Sequence, residues 1–419
     1  MSAIIHDVVY QHAENACALW HQRQQAVDEA HYTFDDLVHL DTRLEANLDG
    51  LRIAGIHADP MLDEMIEAGD EGARFTRGLL ALERGEHSYF LTLLETVGPD
   101  EEGRDELGSA LCRAEPEHLR GIARELLGSH MPAAIVLGLR TCAAHRRSPG
   151  AHLASCNRHA DATVRAAASR TAAGLGERAF AALLLHAEPD DERERFERAR
   201  ALAMLGHAPE ARRSLRSLAL GTTASNGDAT ALLMLMSDSN AGRTFLKQLT
   251  DLPGRERDVV RGFGLIGDPV ALPWLIERCR EPSVARLAGE AITTITGVDI
   301  AYEDLDLDDP PDGVETTPND DPDDDRVALD EDESLPWPDA GRLAAWWGQA
   351  SGQFPNGALH LGGLVKEPAA LERVLRDAYQ RQRTAAACAL ALARPATGYL
   401  DTRLPSARQR RFVVEPEAA

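Results

Sequence analysis

The sequence predicts an all-α fold, an α-solenoid of degenerate helical hairpins with a helical cap before it and a helical segment after it. Three observations carry this. Ala, Leu and Arg recur throughout while aromatic residues make up only 5% of the 419 residues, a mix that favours helices over strands. Apolar residues fall at steps of three and four over most of the chain. Comparable positions near Ile135, Val164, Phe196, Leu232, Val259 and Val284 follow one another at steps of 29, 32, 36, 27 and 25 residues. A hairpin of that length cannot bury its apolar face alone, so stacking on neighbours has to supply the core.

The N-terminal hundred residues are helical without showing the repeat. HAENACALWHQRQQAVDEA puts Ala16, Leu19 and Trp20 on one side. FDDLVHLDTRLEANLDGLRIAG places Leu37, Leu40, Leu44, Leu48 and Leu51 on a stripe that Gly50 and Gly55 close. GARFTRGLLALERG and HSYFLTLLETVG follow as further helices. Residues 1–105 therefore read as a cap and residues 106–298 as the repeat region. Its hairpins run through MPAAIVLGLRTCAAH, HADATVRAAASRTAAGLG with ERAFAALLLHAEP, ERFERARALAMLGHAPEARRSLRSLALG and DATALLMLMSDSNAGRTFLKQLTDLP.

The clearest unit spans Arg257 to Gly297. Val270, Leu272, Leu275, Ile276 and Cys279 share a helical stripe, as do Val284, Leu287, Ala288, Ala291 and Ile295. Asp268 can cap a helix whose first turn takes Pro269. Pro282 and Ser283 open the next one, and Gly297 ends it. This segment resembles HEAT-like repeats. The residues that carry the resemblance are Ile266-Gly267-Asp268-Pro269, then Ala271, Leu272, Pro273 and Leu275, then Val284, Arg286, Ala288 and Ala291. Ala285 stands where the pattern usually has Arg, so the arginine is shifted by one.

Composition changes at Val298. From Asp299 to Asp339 there are eighteen acidic residues and one basic residue, Arg326, which supply −17 of the net charge of −24. Residues 299–338 lack an apolar face and repel themselves, and are expected to form a disordered or extended Pro-rich insert. Residues 339–419 return to helix. LPWPDAGRLAAWWGQASGQF carries Trp337, Trp346 and Trp347. ALERVLRDAYQRQRTAAACALALARP reads as one long helix or a pair, and TRLPSARQRRFV is a basic tail.

The two ends are similar to those of a bacterial HEAT-like-repeat family encoded near type VI secretion gene clusters. The shared marks are Leu19-Trp20, His31-Tyr32, Leu40-Asp41, Leu48-Asp49-Gly50-Leu51, Trp346-Trp347 and Arg408-Gln409-Arg410-Arg411. With the repeats, the similarity covers nearly the whole chain. The family carries no assigned activity or catalytic residue, so the resemblance implies genomic company and no mechanism. The long acidic insert departs from the family's shorter linker.

The charge balance argues against a general nucleic-acid binder, because phosphates demand a basic surface. An arginine-rich helix face at Arg193, Arg195, Arg198 and Arg200 is the local counter-example. No apolar run reaches the roughly 18 residues a membrane span needs. The N-terminus lacks a basic stretch followed by an apolar one, so no secretory signal is expected. Cys17, Cys112, Cys142, Cys156, Cys279 and Cys388 are scattered through helical contexts and read as reduced thiols of a cytoplasmic protein.

Two sets of residues invite chemistry. Cys142-x2-His145 and Cys156-x2-His159 offer four zinc-type ligands. The competing reading packs each Cys in a helix and leaves each His at a helix end, and no cofactor is expected. The remaining histidines are dispersed with no HExxH, and no nucleophile elbow or phosphate loop occurs. Gly262 to Gly267 follows a helix where a dinucleotide turn needs a strand. No enzyme is expected. The expected partner is another protein, a basic secreted effector or a secretion spike component. Candidate contacts are the carboxylates Asp320, Asp321, Asp323, Asp324 and Asp325, the indoles of Trp346 and Trp347, and the guanidiniums of Arg408, Arg410 and Arg411. The same carboxylates suit calcium, but the spacing lacks the central Gly and closing Glu of an EF-hand. Of adjacent tryptophans on one helix, one is expected in the core and the other in part outside it.

Overall fold

Within each of two units of the chain, helices pack in pairs and neighbouring pairs pack on one another. The computed structural model describes residues 5–98, 100–186, 189, 191–311, 314 and 331–413. Among the described residues the fold is all-α apart from one two-residue-per-strand hairpin and an isolated bridge between Asp306 and Pro338. The chain forms two compact units, one of residues 1–28, 32–211 and 394–419, the other of residues 29–31 and 212–393.

The first unit contains α1 (His6–Ala26), α2 (Phe34–Ala54), α3 (Asp59–Ala68), α4 (Ala73–Glu83), α5 (His87–Val97) and α6 (Glu101–Arg113). It continues with α7 (Ile122–Leu127), α8 (Pro132–Ala144), α9 (Ala151–Cys156), α10 (Ala162–Leu175), α11 (Ala181–Leu184) and α12 (Glu192–Met204). Helix α1 packs on α2 and α4, α4 on α6, α6 on α8, α8 on α10 and α10 on α12. The shorter α3, α5, α7, α9 and α11 each pair with a member of that row. A core from Val9 to Leu137 takes in the predicted stripe Leu37, Leu40, Leu44, Leu48 and Leu51. Thr33 and Asp36 form a capping box at the start of α2.

Ion pairs tie one repeat to the next. Arg74 reaches Glu106 (3.4 Å), Arg140 reaches Asp105 (2.7 Å), Arg165 reaches Glu194 (2.6 Å) and Arg170 reaches Glu197 (2.5 Å). These partners are 27 to 35 residues apart in sequence, about one repeat step. Glu106, Glu194 and Glu197 are buried. Burial raises the Glu197 carboxyl, but Arg200 and Arg170 outweigh it and hold the group below its ordinary value.

The second unit begins within α13 (Ala208–Ala219). It holds α14 (Asn226–Leu235), α15 (Ser239–Thr250), α16 (Glu256–Ile266), α17 (Leu272–Arg278), α18 (Ala285–Thr296) and α19 (Ala340–Ala350). Helices α20 (Pro368–Asp377) and α21 (Gln380–Ala393) complete it. The predicted C-terminal helix is thus a pair. Helix α16 packs on both α14 and α18, and α17 on α18 and α19, around a core from Val260 to Leu343. Asp268 caps as expected, but the turn it caps is a 3-10 helix, and Val270 from the predicted stripe is exposed. Helix α18 starts at Ala285, after Pro282 and Ser283, with no side-chain cap at Val284.

Strands β1 (His360–Leu361) and β2 (Leu364–Val365) pair antiparallel across Gly362-Gly363, with φ of 57° and 78°. Two left-handed residues make the turn that matches strand twist, and glycine takes it without a Cβ penalty. The edge of this hairpin lies on helix C-termini. His360 N donates to Gly267 O (2.7 Å), Gly362 N to Thr294 O (2.7 Å) and Gly363 N to Ile295 O (3.1 Å).

The described ends of the acidic insert pack into the second unit. Ile300, Leu305 and Leu335 are buried, and Leu307 N donates to Trp337 O at 2.7 Å. Asp320, Asp321, Asp323, Asp324 and Asp325 lie outside the described residues. No helix among the described residues is long and apolar enough to cross a membrane.

Candidate protein-binding surface

Helix C-termini leave their last carbonyls without partners and carry partial negative charge. In the first unit, several of these ends receive the segment from Arg394 to Arg410. Ala396 N donates to Met204 O, the last residue of α12, at 3.1 Å. Tyr399 N donates to Gly174 O, in the last turn of α10, at 3.2 Å. Arg408 Nη2 donates to Ala114 O, just past α6, at 2.8 Å.

Scaffold guanidiniums close the opposite contacts. Arg178 reaches Pro395 O (3.2 Å), and Arg146, just past α8, reaches Thr397 O (3.0 Å). Arg23, in the last turn of α1, donates Nη1 to Arg403 O (2.7 Å) and Nη2 to Leu404 O (2.6 Å). The same guanidinium donates Nε to Asp41 Oδ1 at 3.0 Å. Arg113 Nη1 also donates to Asp41 Oδ1 (3.0 Å), and Ser406 N donates to Oδ2 (2.7 Å). Asp41 is buried. Burial alone would raise its carboxyl, but the charges of Arg23 and Arg113 and the Ser406 N–H hold it below the ordinary carboxylate range. Outside this buried knot, Arg403 pairs with Asp28 where both are exposed, and Arg200 lies 4.8 Å over the Tyr399 ring. Gly176 sits at φ 71°, and a Cβ there would come within 2.5 Å of Ala396 O. Only glycine allows the segment so close.

The surface therefore holds a run of turns, residues 394–405, that leads into α22 (Ser406–Val413), a helix packed on α2; the segment is held mainly by its backbone, with charge added at Arg403 and Arg408. Of the predicted basic contacts, Arg408 is buried and taken up by Ala114 and Glu115, and Arg410 is exposed. The side chain of Arg411 lies outside the described residues. Sequence reasoning passed over Arg23, Arg113, Arg146 and Asp28. A signal existed for two residues of the knot. Arg23 falls three residues after Trp20 on the apolar side of α1, and Asp41 falls four after Leu37 on the stripe of α2. A charge on an apolar stripe asks for a buried partner.

The zinc-type residues go to separate local roles. Cys142 is buried in α8 and Cys156 in α9, and burial raises both thiols, which disfavours the thiolate a metal needs. His145 Nε2 lies 2.9 Å from Leu111 O, and His159 Nδ1 accepts from Asp161 N at 3.0 Å. Among the described residues, no group of three or more His, Cys, Asp or Glu side chains is placed to hold a metal.

In the second unit Trp346 and Trp347 are both half-buried against the core, with ring centroids 6.1 Å apart. The expected split into a core and an outer indole is not found, because Trp347 also packs against Phe354, with ring centroids 5.5 Å apart and the rings tilted by 42°. Part of the acidic segment is engaged within the unit. Arg257 binds Asp332 (2.8 Å) and Glu331 (3.0 Å), and Arg286 lies 4.6 Å over Trp337. A shallow open pocket between α13 and α15 presents Arg212 and Arg216 beside Phe245, and Arg216 is held by Gln248 at 2.6 Å.

Lys366 closes the hairpin onto α16. Its Nζ donates to Leu265 O (2.5 Å) and Ile266 O (2.9 Å). Burial lowers its ammonium to about 8. The unfolded chain, near 10.4, then binds more protons between these values, so stability should rise with pH across that window. The neutral amine keeps donors for both carbonyls. Melting temperatures from pH 7.5 to 10.5 should climb more steeply for the natural protein than for Lys366→Met. Parallel curves would refute the assignment.

No family model, curated protein or solved structure matches the chain.

Proposed function

We propose that the chain is a non-catalytic protein-binding scaffold, an accessory adaptor or immunity-like factor that serves type VI secretion and binds another protein with a basic face. The observation that carries this reading is the row of stacked helices in the first unit, whose ends already hold a polypeptide segment, residues 394–410, through backbone and arginine contacts. The net charge of −24 favours a basic partner and would steer it electrostatically. The link to secretion rests on the resemblance of the two ends and the repeats to the secretion-associated family.

The test takes the proteins encoded beside this gene as purified candidates, among which the reading expects an effector or a spike protein. Full-length chain should bind one of them, more weakly at 500 mM than at 50 mM salt. Replacing Asp320, Asp321, Asp323, Asp324 and Asp325 by Asn should slow association if the tract steers the partner. Binding to none of the neighbours would contradict the proposal. Rescue of a toxin-expressing host would select the immunity role over the adaptor role.

A further inference from the structure

We infer that a cleft between α13 and α15 of the second unit binds the carboxylate of a glutamate side chain on a partner protein, with Arg212 and Arg216 as the groups that hold it. The inference goes beyond the scaffold reading. Net charge steers the approach of a basic partner, and the cleft fixes its register by taking one side chain of the opposite sign.

At this place the repeat pattern calls for a carboxylate that the chain does not supply. In the first unit, helix arginines meet a carboxylate about one repeat away: Arg74 with Glu106, Arg140 with Asp105, Arg165 with Glu194 and Arg170 with Glu197. Arg216 makes the same reach, 32 residues in sequence, but meets the side-chain oxygen of Gln248 at 2.6 Å. A neutral amide orients the guanidinium without cancelling its charge. Arg212, one turn earlier on α13, donates Nη2 to Met236 O. Both arginines are exposed, and among the described residues neither has a carboxylate partner. A guanidinium carries five N–H donors, so each of the two keeps donors for a ligand.

The cleft has the size and lining for one such side chain. Its volume is about 270 Å³, and Leu233, Ala241 and Phe245 give it apolar surface that suits the two methylenes of a glutamate. Arg216 lies 5.0 Å over the Phe245 ring, which fixes the guanidinium plane before a ligand arrives. Asp238 is the one acid in the lining, and its Oδ1 already accepts from Ala241 N at 2.9 Å as the cap of α15. Two arginines against one aspartate leave the cleft positive in a chain of net charge −24. The planar guanidinium fork matches a carboxylate better than it matches a neutral amide. The shallow, open form decides the source of the carboxylate. A free small ligand needs a site that encloses most of its surface, whereas a side chain carried on a protein draws the rest of its binding from the surrounding interface.

The test follows the NMR signals of two end-blocked tripeptides, Ala-Glu-Leu and Ala-Gln-Leu, as full-length protein is added. The glutamate peptide should bind about fivefold more tightly than the glutamine peptide, the ratio expected of one exposed ion pair. Gln248→Glu supplies the missing carboxylate from within the chain. It should weaken the glutamate peptide about fivefold, leave the glutamine peptide unchanged and keep the melting temperature, a combination that a merely structural role for Arg216 does not produce. Arg212→Gln should reduce the same preference, and far-UV circular dichroism checks that both variants keep their helices. Equal binding of the two peptides, no binding of either, or a preference untouched by both substitutions overturns the inference. Acetate binding as tightly as the glutamate peptide would show capture of a free anion and also overturn it. Self-association of natural protein that Gln248→Glu relieves would assign the cleft to a second copy, with the same consequence. The binding of neighbour-encoded proteins is measured separately, so either reading can fail while the other stands.

Discussion

Replacing Asp41 by Ala should destabilise the first unit by about 3–5 kcal/mol, the loss expected when one partner is removed from a buried ion pair. The carboxylate accepts from Arg23, Arg113 and Ser406 at 2.7–3.0 Å and is only 6% exposed. Its removal takes the paired carboxylate from the deeply buried Arg23 and leaves Arg113, still paired with Glu45, facing it. Urea titration of full-length protein should show the transition of this unit moving to lower denaturant while that of the second unit stays in place. Loss below about 1 kcal/mol would mean that the knot is solvated. Acid should imitate the substitution. The folded carboxyl lies below the unfolded value near 3.9, so its contribution is present above that pH and disappears as pH falls through the folded value. Asp41→Asn should flatten that part of the acid profile.

Gly267→Ala should cost the second unit about 3 kcal/mol, from a left-handed residue acquiring a Cβ and from a collision that has to be relieved. Gly267 ends α16 at φ 77°, and a Cβ there would lie 1.9 Å from His360 O. Backbone blocks it, so relief requires the hairpin to move off the helix end, breaking the His360 N to Gly267 O bond. Amide exchange at His360 and Gly362 should then accelerate. An unchanged exchange rate at both would show that the hairpin does not depend on that contact.

Much of the fold was legible because helical stacking writes itself into local periodicity. The leucine stripe of α2, the Asp268 cap and the closing Gly297 were readable from spacing alone, and each has that role in the structure. What escaped the sequence was long-range. Nothing local to Arg403 announces Asp28, 375 residues away. Gly362-Gly363 is a local signal for a hairpin turn, but nothing local shows that the hairpin caps α16 and α18. The pattern over α20 and α21 left one helix or a pair open, and the structure breaks it at Ala378-Tyr379. Composition divides the chain at Val298 and Asp339, whereas contacts divide it at Ala211 and Ala393. Composition senses charge, and contacts sense which helix ends a segment caps.

The candidate site was partly legible for the same reason. The basic character of residues 403–411 was visible, and its use within the chain was not. The Cys and His pairs illustrate the converse. Their spacing suggested ligands, yet α8 turns Cys142 inward while His145 reaches back to the end of α6.

Native-state hydrogen exchange on full-length protein tests the seating of the C-terminal segment most directly. The amides of Ala396, Tyr399 and Ser406 should be protected at least a hundredfold over an unstructured peptide, or about 2.7 kcal/mol of opening free energy. Asp41→Ala should abolish the protection at Ser406 first. Exchange of all three amides at the rate of a free peptide would contradict the account.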